Sequence, residues 1–412
     1  MRLLVHDYSG HPFQVDLSRA LARRGHDVLH VHCTSYRTGK GAVDPRPDDP
    51  PNLQLHGIEL EGTGDRYAVV DRCRHELAYG QAFVRVARAY APDVVLSSND
   101  PLLAKCRSAL WCRMSRTPWV FWLQDLYSVA MARYTTQKLG WPGSVLGSVF
   151  KAVERRLLLD ARAVVMITED FWPTLRTWHL PPDRGHVIEN WAPLQELATG
   201  PRDNSWARER GLVDAQVFLY SGTLGLKHDV DPLVALAERW RGDPHVRVVV
   251  ISEGTGAHHL RAKKHERGLE NLLVLPYQPF DRLSEVFATA DILVALLSSD
   301  AGAFSVPSKI LSYLCAGRPI LAAVPRENLA ARTIQRAQAG VVVEAGDVEA
   351  FLSAAATLLE DESGRAEAGA RARAYAERSF DIEHISTSFE EILARATERS
   401  RRPLAASSGA PR

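Results

Sequence analysis

Short apolar runs alternate with helix-period segments from the first residues of this chain, and after a break near its middle the alternation starts again. Runs at 3–5, 27–32, 93–97, 119–123, 164–168 and 186–188 read as strands, and 14–24, 76–90 and 102–113 have helical spacing, the first of them closed by Gly25. Strands separated by helices can pair in parallel only through right-handed crossovers, so this order predicts an α/β architecture with parallel sheets. Residues 190–204 mix proline, glycine and polar side chains without a period, and an interdomain linker is expected over 193–210. The second series has strands at 217–221, 246–251, 272–275, 292–296 and 340–343, with helices at 231–240, 260–267, 283–289, 309–316 and 348–359. Residues 365–399 are strongly helical, with 376–399 expected to pack back on the first domain, and 400–412 read as a disordered tail. The prediction is two doubly wound, Rossmann-like α/β domains, 1–192 and 211–375, with a cleft between them and ligands beyond the carboxyl ends of the strands.

A length of 412 residues exceeds one core of usual size, which agrees with two domains. A formal net charge of +1 argues against a nucleic-acid partner, whose footprint is a strong basic excess. The five cysteines (Cys33, Cys73, Cys106, Cys112, Cys315) form no C-x-x-C pair, which argues against a zinc site or disulfide framework and suits a reducing compartment. The apolar run at the amino terminus is too short for a signal peptide, and no uninterrupted apolar stretch reaches the roughly 20 residues a membrane span needs. A cytoplasmic protein is expected.

Three glycine- or proline-marked turns carry the candidate chemistry. The segment Ser305-Val306-Pro307-Ser308-Lys309 feeds a helix that ends at Gly317. Proline suits a first helical turn, where its missing amide hydrogen would have no partner. The free amides there, the Ser308 hydroxyl and the Lys309 ammonium can converge on one anion. In Ser221-Gly222-Thr223-Leu224-Gly225-Leu226-Lys227-His228, two glycines allow close backbone approach and Lys227 supplies positive charge. Ser252-Glu253-Gly254-Thr255-Gly256 is a further glycine-rich turn at the same sheet edge, with Gly256 read mainly as a tight strand-to-helix turn. Tyr277, at a strand end, either lies against a flat base or simply closes the strand.

These blocks, together with A-D-I-L-V-A-L at 290–296 and P-S-K-I-L-S-Y-L-C-A-G-R-P-I-L-A at 307–322, resemble the donor domain of glycosyltransferase family 4. Those are retaining enzymes of the GT-B fold that use nucleotide sugars. In the first half His6-Asp7-Tyr8-Ser9-Gly10-His11-Pro12, Trp122-Leu123-Gln124-Asp125-Leu126-Tyr127 and Val187-Ile188-Glu189-Asn190-Trp191 resemble the branch that builds bacterial surface polysaccharides of the colanic acid and O-antigen type. The resemblance implies a metal-independent transfer of sugar from a nucleotide diphosphate sugar to a glycan or lipid-linked acceptor, with no cofactor. It implies that Lys227, Ser308 and Lys309 hold the donor diphosphate, with Gly10 and His11 nearby. Gly222, Thr223, Glu253, Gly254 and Ser312 would complete the donor site, with Tyr277 near the base. Asp125 and Lys227 would be the catalytic pair, Asp125 on the acceptor side. The chain departs from the family where a basic residue is replaced by Thr223, and where paired glutamates are replaced by Phe304 and Ser312.

The pair Asp229 and Asp231 precedes a helix, where aspartate is a common cap, and is not read as a metal site. His11 and His228 lie in ligand-facing loops, whereas His26, His258 and His259 have ordinary structural or solvated explanations. Residues 141–159 fit two readings, a core helix with basic ends or an amphipathic helix on the cytoplasmic face of the inner membrane. Two other functions fit the same architecture. A sugar-nucleotide epimerase would turn over donor without acceptor, and a non-catalytic nucleotide-sugar binder would show no turnover at all.

Overall fold

The computed structural model describes residues 1–35, 43–60, 69–98, 100–225, 229–299 and 309–401. Lys227, His228, Phe304, Pro307, Ser308 and the expected tail from 402 onward lie outside the described residues. The chain divides into two compact units, one of residues 1–189 and 382–412, the other of residues 190–381.

The first unit is built on β1 (Arg2–Asp7), β2 (Asp27–Cys33), β3 (Leu53–Ile58), β4 (Val94–Ser97), β5 (Trp119–Leu123), β6 (Ala163–Met166) and β7 (Gly185–Val187). They pair in the order β3-β2-β1-β4-β5-β6-β7, every neighbour parallel. Helices cover both faces of such a sheet, so its inner strands are buried on both sides and read as unbroken apolar runs. Leu3, Leu4 and Val5 of β1, Val94 to Leu96 of β4 and all of β5 are accordingly buried. The edge strand β3 alternates exposure and has no such run, which is why it escapes the sequence reading.

The second unit repeats the plan with β8 (Gln216–Ser221), β9 (Val246–Ile251), β10 (Leu272–Leu275), β11 (Ile292–Leu296), β12 (Ile320–Ala323) and β13 (Gly340–Val343). Their order is β10-β9-β8-β11-β12-β13, again all parallel. Phe218, Tyr220, Val248, Val250, Val294 and Phe351 belong to one buried cluster between this sheet and its helices. Both units are therefore doubly wound as expected, and in each the order reverses at one place, between β1 and β4 and between β8 and β11. Ligands of open α/β sheets bind at the carboxyl end of that reversal.

Several boundaries differ from expectation. Helices Tyr127–Leu139 and Leu329–Ala337 were not predicted, and Val69–Tyr90 and Thr255–Arg267 begin earlier than expected. Residues 190–210 cluster with the second unit, because Trp206 is buried there, its indole donates to Gln278 (2.9 Å), and Arg202 pairs with Asp291 (3.1 Å). The long C-terminal helical stretch is two helices, Glu362–Ser379 and Ile382–Arg401. The second of these belongs to the first unit, where Glu390 pairs with Arg24 (2.6 Å) and His26 (2.9 Å) and Phe389 meets Trp122 at 4.7 Å between ring centroids.

Helix Trp141–Asp160 folds back on Tyr127–Leu139 as a hairpin. Glycines of the second helix stand where the two meet: a Cβ on Gly143 would lie 2.0 Å from the Thr135 carbonyl oxygen, and one on Gly147 would lie 2.7 Å from the Ala132 Cβ. Glu154 and Leu157 are buried, while Trp141, Val145, Leu146 and Val149 face outward. Among the described residues no helix is long and apolar enough to cross a membrane.

Candidate functional site

In the second unit the site follows from what leaves β8, β9, β10 and β11 at their carboxyl ends. After β8 the chain turns through Gly222, whose φ of +136° lies in the region that side chains rarely adopt. A Cβ there would sit 3.3 Å from Cε and 3.4 Å from Nζ of Lys309, so glycine lets the lysine lie directly beneath the turn. Thr223 then meets the Tyr277 hydroxyl at 3.0 Å, and the Leu224 amide donates to the Ser252 hydroxyl at 3.2 Å. Glu253 accepts from the Tyr277 amide at 3.2 Å. These bonds tie three separate loops into one surface that holds Gly222, Thr223, Glu253, Gly254 and Tyr277 together.

Gly254 caps helix Thr255–Arg267 with φ +89° and has open space where a Cβ would be. Gly256 serves packing: a Cβ would lie 2.5 Å from that of Leu224. Asp229 accepts from the Asp231 amide at 3.0 Å, but the N-cap of helix Asp231–Arg239 is Val230, with no side-chain capping bond, so neither aspartate is the cap expected from the sequence. Among the described residues no group of three or more His, Cys, Asp or Glu could hold a metal.

Lys309 is the first residue of helix Lys309–Ala316, with Ser312 one turn further on. The helix is registered against β8 by Tyr313, whose hydroxyl accepts from the Ser221 amide at 2.9 Å. The Lys309 ammonium hydrogen-bonds the Tyr220 hydroxyl and lies 3.7 Å from the centroid of that ring. No carboxylate neutralises it among the described residues. The residue keeps some exposure, yet its charged end is shut away from water, and that burial lowers its pKa to about 7.

In the first unit, the turn after β1 is organised by Asp7. Its carboxylate accepts from the Ser9 amide (3.2 Å), the His11 amide and His11 Nδ1 (2.9 Å). Burial alone would raise its pKa, but the charge and hydrogen bonds of His11 bring it down to about 2. Gly10, at φ +64°, makes the turn possible. Asp125 is exposed just beyond β5, and the helix that follows it is capped from across the hairpin by Glu154, which accepts from the Tyr127 and Ser128 amides at 3.1 Å each.

Sequence reasoning missed a buried polar network where β1 and β4 lie side by side. Lys105 pairs with Asp100 at 2.5 Å, both side chains being inaccessible, and donates to Ser97 at 3.2 Å. His6 bridges Ser97 and Tyr79 at 3.1 Å each. Burial and then Lys105 push His6 down to about 3, so it is neutral, while burial lifts Asp100 to about 6 against the pull of Lys105. The available signal was an aspartate just past a strand with a lysine one turn into the next helix.

Residues 11–191 match the glycosyl transferase 4-like domain, and residues 204–375 match the glycosyl transferases group 1 domain. The Escherichia coli K12 protein WcaI, named for a glycosyl transferase role in colanic acid biosynthesis, is 24% identical over 309 residues, 73% of this chain and 74% of that one. The fold is shared with sucrose-phosphate synthase of Thermosynechococcus elongatus, with TM-score 0.73 and 15% identity over 97% of this chain and 100% of that one. It is also shared with HepE of Anabaena, solved in complex with UDP-glucose, with TM-score 0.71 and 17% identity over 96% and 100% of the two chains.

Proposed function

From the premise that this chain is a glycosyltransferase of the GT-B fold, built from a glycosyl transferase 4-like and a group 1 domain, we propose that it transfers a sugar, with retention, from a nucleotide diphosphate sugar to a glycan or lipid-linked acceptor. The observation that carries this reading is Lys309. A lysine with no carboxylate beside it among the described residues, beneath a glycine turn at the point where strand order reverses, is suited to a diphosphate. Lys227 and Ser308 are assigned to the same group, Gly222 and Thr223 to its backbone approach, and Gly10 and His11 of the first unit to the diphosphate as well. Glu253, Gly254 and Tyr277 form the nucleotide end, and Ser312 faces the donor one turn beyond Lys309. The UDP-glucose complex of HepE supports this class of donor.

As the bond to the anomeric carbon breaks, negative charge builds on the departing diphosphate. Lysine ammonium groups held in a site that excludes water stabilise that charge. Asp125 is assigned to the acceptor side as the polar group near the reacting carbon. The relation to WcaI supports a place in cell-surface polysaccharide synthesis. The outward apolar row of the hairpin, Leu139, Trp141, Val145 and Val149, with Lys151 beside it, supports peripheral contact with the cytoplasmic face of the inner membrane. Vesicle sedimentation tests that contact, since Trp141→Ser with Val145→Ser should abolish it.

Thermal-shift screening against a panel of nucleotide sugars tests the donor assignment. Stabilisation by at least one diphosphate sugar, lost in Lys309→Ala, is expected. No shift with any member would remove the basis of the reading.

A further inference from the structure

We propose that the first unit carries a second anion site, unconnected with the donor site, that binds a phosphate or diphosphate group at the amino edge of its sheet. A cavity of about 400 Å3 opens where β5 and β6 begin, and Arg113, Arg116, Arg162 and Arg184 line it. Trp119 starts β5 and Arg162 immediately precedes β6, so the cavity lies at the end of the sheet opposite the turns that carry Gly10 and Asp125. Four arginines from three stretches of chain, at 113–116, 162 and 184, line it.

Convergence of like charge costs stability unless something offsets it, and the neighbourhood offsets only part. Helices Leu102–Ser115 and Trp141–Asp160 both end at the cavity, and each helix end contributes about half a negative charge. Arg184 donates to the Leu159 carbonyl at 3.2 Å, which satisfies one of those ends. Asp160 is the single carboxylate among the described lining residues. An excess of about two positive charges therefore remains after both helix ends and Asp160 are counted. Arg113, Arg116 and Arg162 are exposed and have no side-chain partner among the described residues. Trp119, only 4% exposed, lines the same cavity, and its indole N–H has no acceptor among the described residues.

Guanidinium forks match the paired oxygens of phosphate and bind them in bidentate fashion, which selects a phosphorylated ligand over a simple halide. The volume suits a phosphorylated small molecule or the headgroup of an anionic lipid. Both present the same chemistry to the arginines.

Titration calorimetry of the full chain with inorganic pyrophosphate at low salt tests the site. The Lys309→Ala variant, which disables the donor site, should still bind pyrophosphate. Adding Arg113→Gln and Arg162→Gln to it should weaken that binding at least tenfold. Both arginines are exposed and unpartnered, so the melting temperature should barely move. Phenylglyoxal labelling provides an independent readout, with Arg113 and Arg162 protected several-fold by pyrophosphate and exposed surface arginines such as Arg241 unprotected. Equal affinity with and without the two substitutions, or no protection, overturns the proposal. Sedimentation with phosphatidic acid vesicles separates the two sources. Vesicle binding lost in Arg113→Gln/Arg162→Gln assigns the phosphate to a lipid headgroup, and vesicle binding retained while pyrophosphate binding is lost assigns it to a soluble ligand.

Discussion

If Lys309 holds the donor diphosphate, donor binding must be accompanied by proton uptake. In the free protein burial lowers the Lys309 pKa to about 7, so near pH 8 most molecules carry it neutral. A diphosphate placed against it restores the advantage of the charged form, at about 1.4 kcal/mol for each pKa unit recovered. With a free-protein pKa of about 7, binding should draw in about 0.9 proton at pH 8 and about 0.1 at pH 6. If only the ammonium form binds, affinity at pH 8 should be about tenfold weaker than at pH 6. A nucleotide diphosphate sugar is the right probe because its diphosphate, esterified at both ends, does not itself titrate near neutrality.

The assay is titration calorimetry in buffers of different ionisation enthalpy, run at pH 6 and pH 8. The slope of observed enthalpy against buffer enthalpy counts the protons. Lys309→Met keeps the apolar stem, should flatten both the proton count and the pH dependence, and should bind donor weakly at either pH. The free protein offers a sign check. Its lysine has a lowered pKa, so the unfolded chain binds more protons between pH 7 and the usual lysine value, and stability should rise with pH across that window. Lys309→Met should lose that rise. Equal proton uptake at the two pH values, or uptake that persists in Lys309→Met, would refute the assignment of Lys309 to the diphosphate.

Gly222→Ala should cost about 1–3 kcal/mol through backbone strain at φ +136° and press a methyl group on Lys309, lowering both the melting temperature and the donor-induced shift. Glu154→Ala removes the acceptor for two backbone amides and should destabilise the fold by about 1–3 kcal/mol in urea unfolding, with no change in donor affinity per folded molecule. Asp125→Ala should abolish transfer while leaving the thermal shift with donor intact, and retained turnover would exclude it from the chemistry.

The parts of this protein legible in its sequence are those set by local pattern. β5 and β9 are written as Trp-Val-Phe-Trp-Leu and Val-Arg-Val-Val-Val-Ile because parallel strands are buried on both faces. Gly222 and Gly254 could be placed in turns because positive φ favours glycine. The illegible parts are those created by strand order. His6 reaches Ser97 across 91 positions, and Lys309 reaches Tyr220 across 89, because β1 adjoins β4 and β8 adjoins β11. Glu154 caps a helix that begins 27 positions earlier, which no capping rule based on neighbouring residues can anticipate. The burial of Lys309, which determines its proton chemistry, is of this second kind.

The two units place a lysine at the same topological position, and the difference between those lysines bears on the diphosphate role proposed for Lys309. In each unit the fourth strand in local order crosses over to a helix whose first or second turn carries a lysine beside the reversal of strand order: Lys105 after β4, Lys309 after β11. Both are shut away from water, and burial lowers both pKa values. Lys105 is met by Asp100 at 2.5 Å and by Ser97, so its charge is already balanced inside the first unit and an arriving diphosphate would have to displace a buried carboxylate. Removing one partner of such a pair leaves the other charge buried alone, at a cost of about 3–5 kcal/mol. Lys309 has a tyrosine hydroxyl and ring where Lys105 has an aspartate, so an anion beside it displaces no charge. The same scaffold thus pairs one lysine inside the first unit and leaves the other without such a partner among the described residues, which supports the proposed assignment of the donor diphosphate to the second unit.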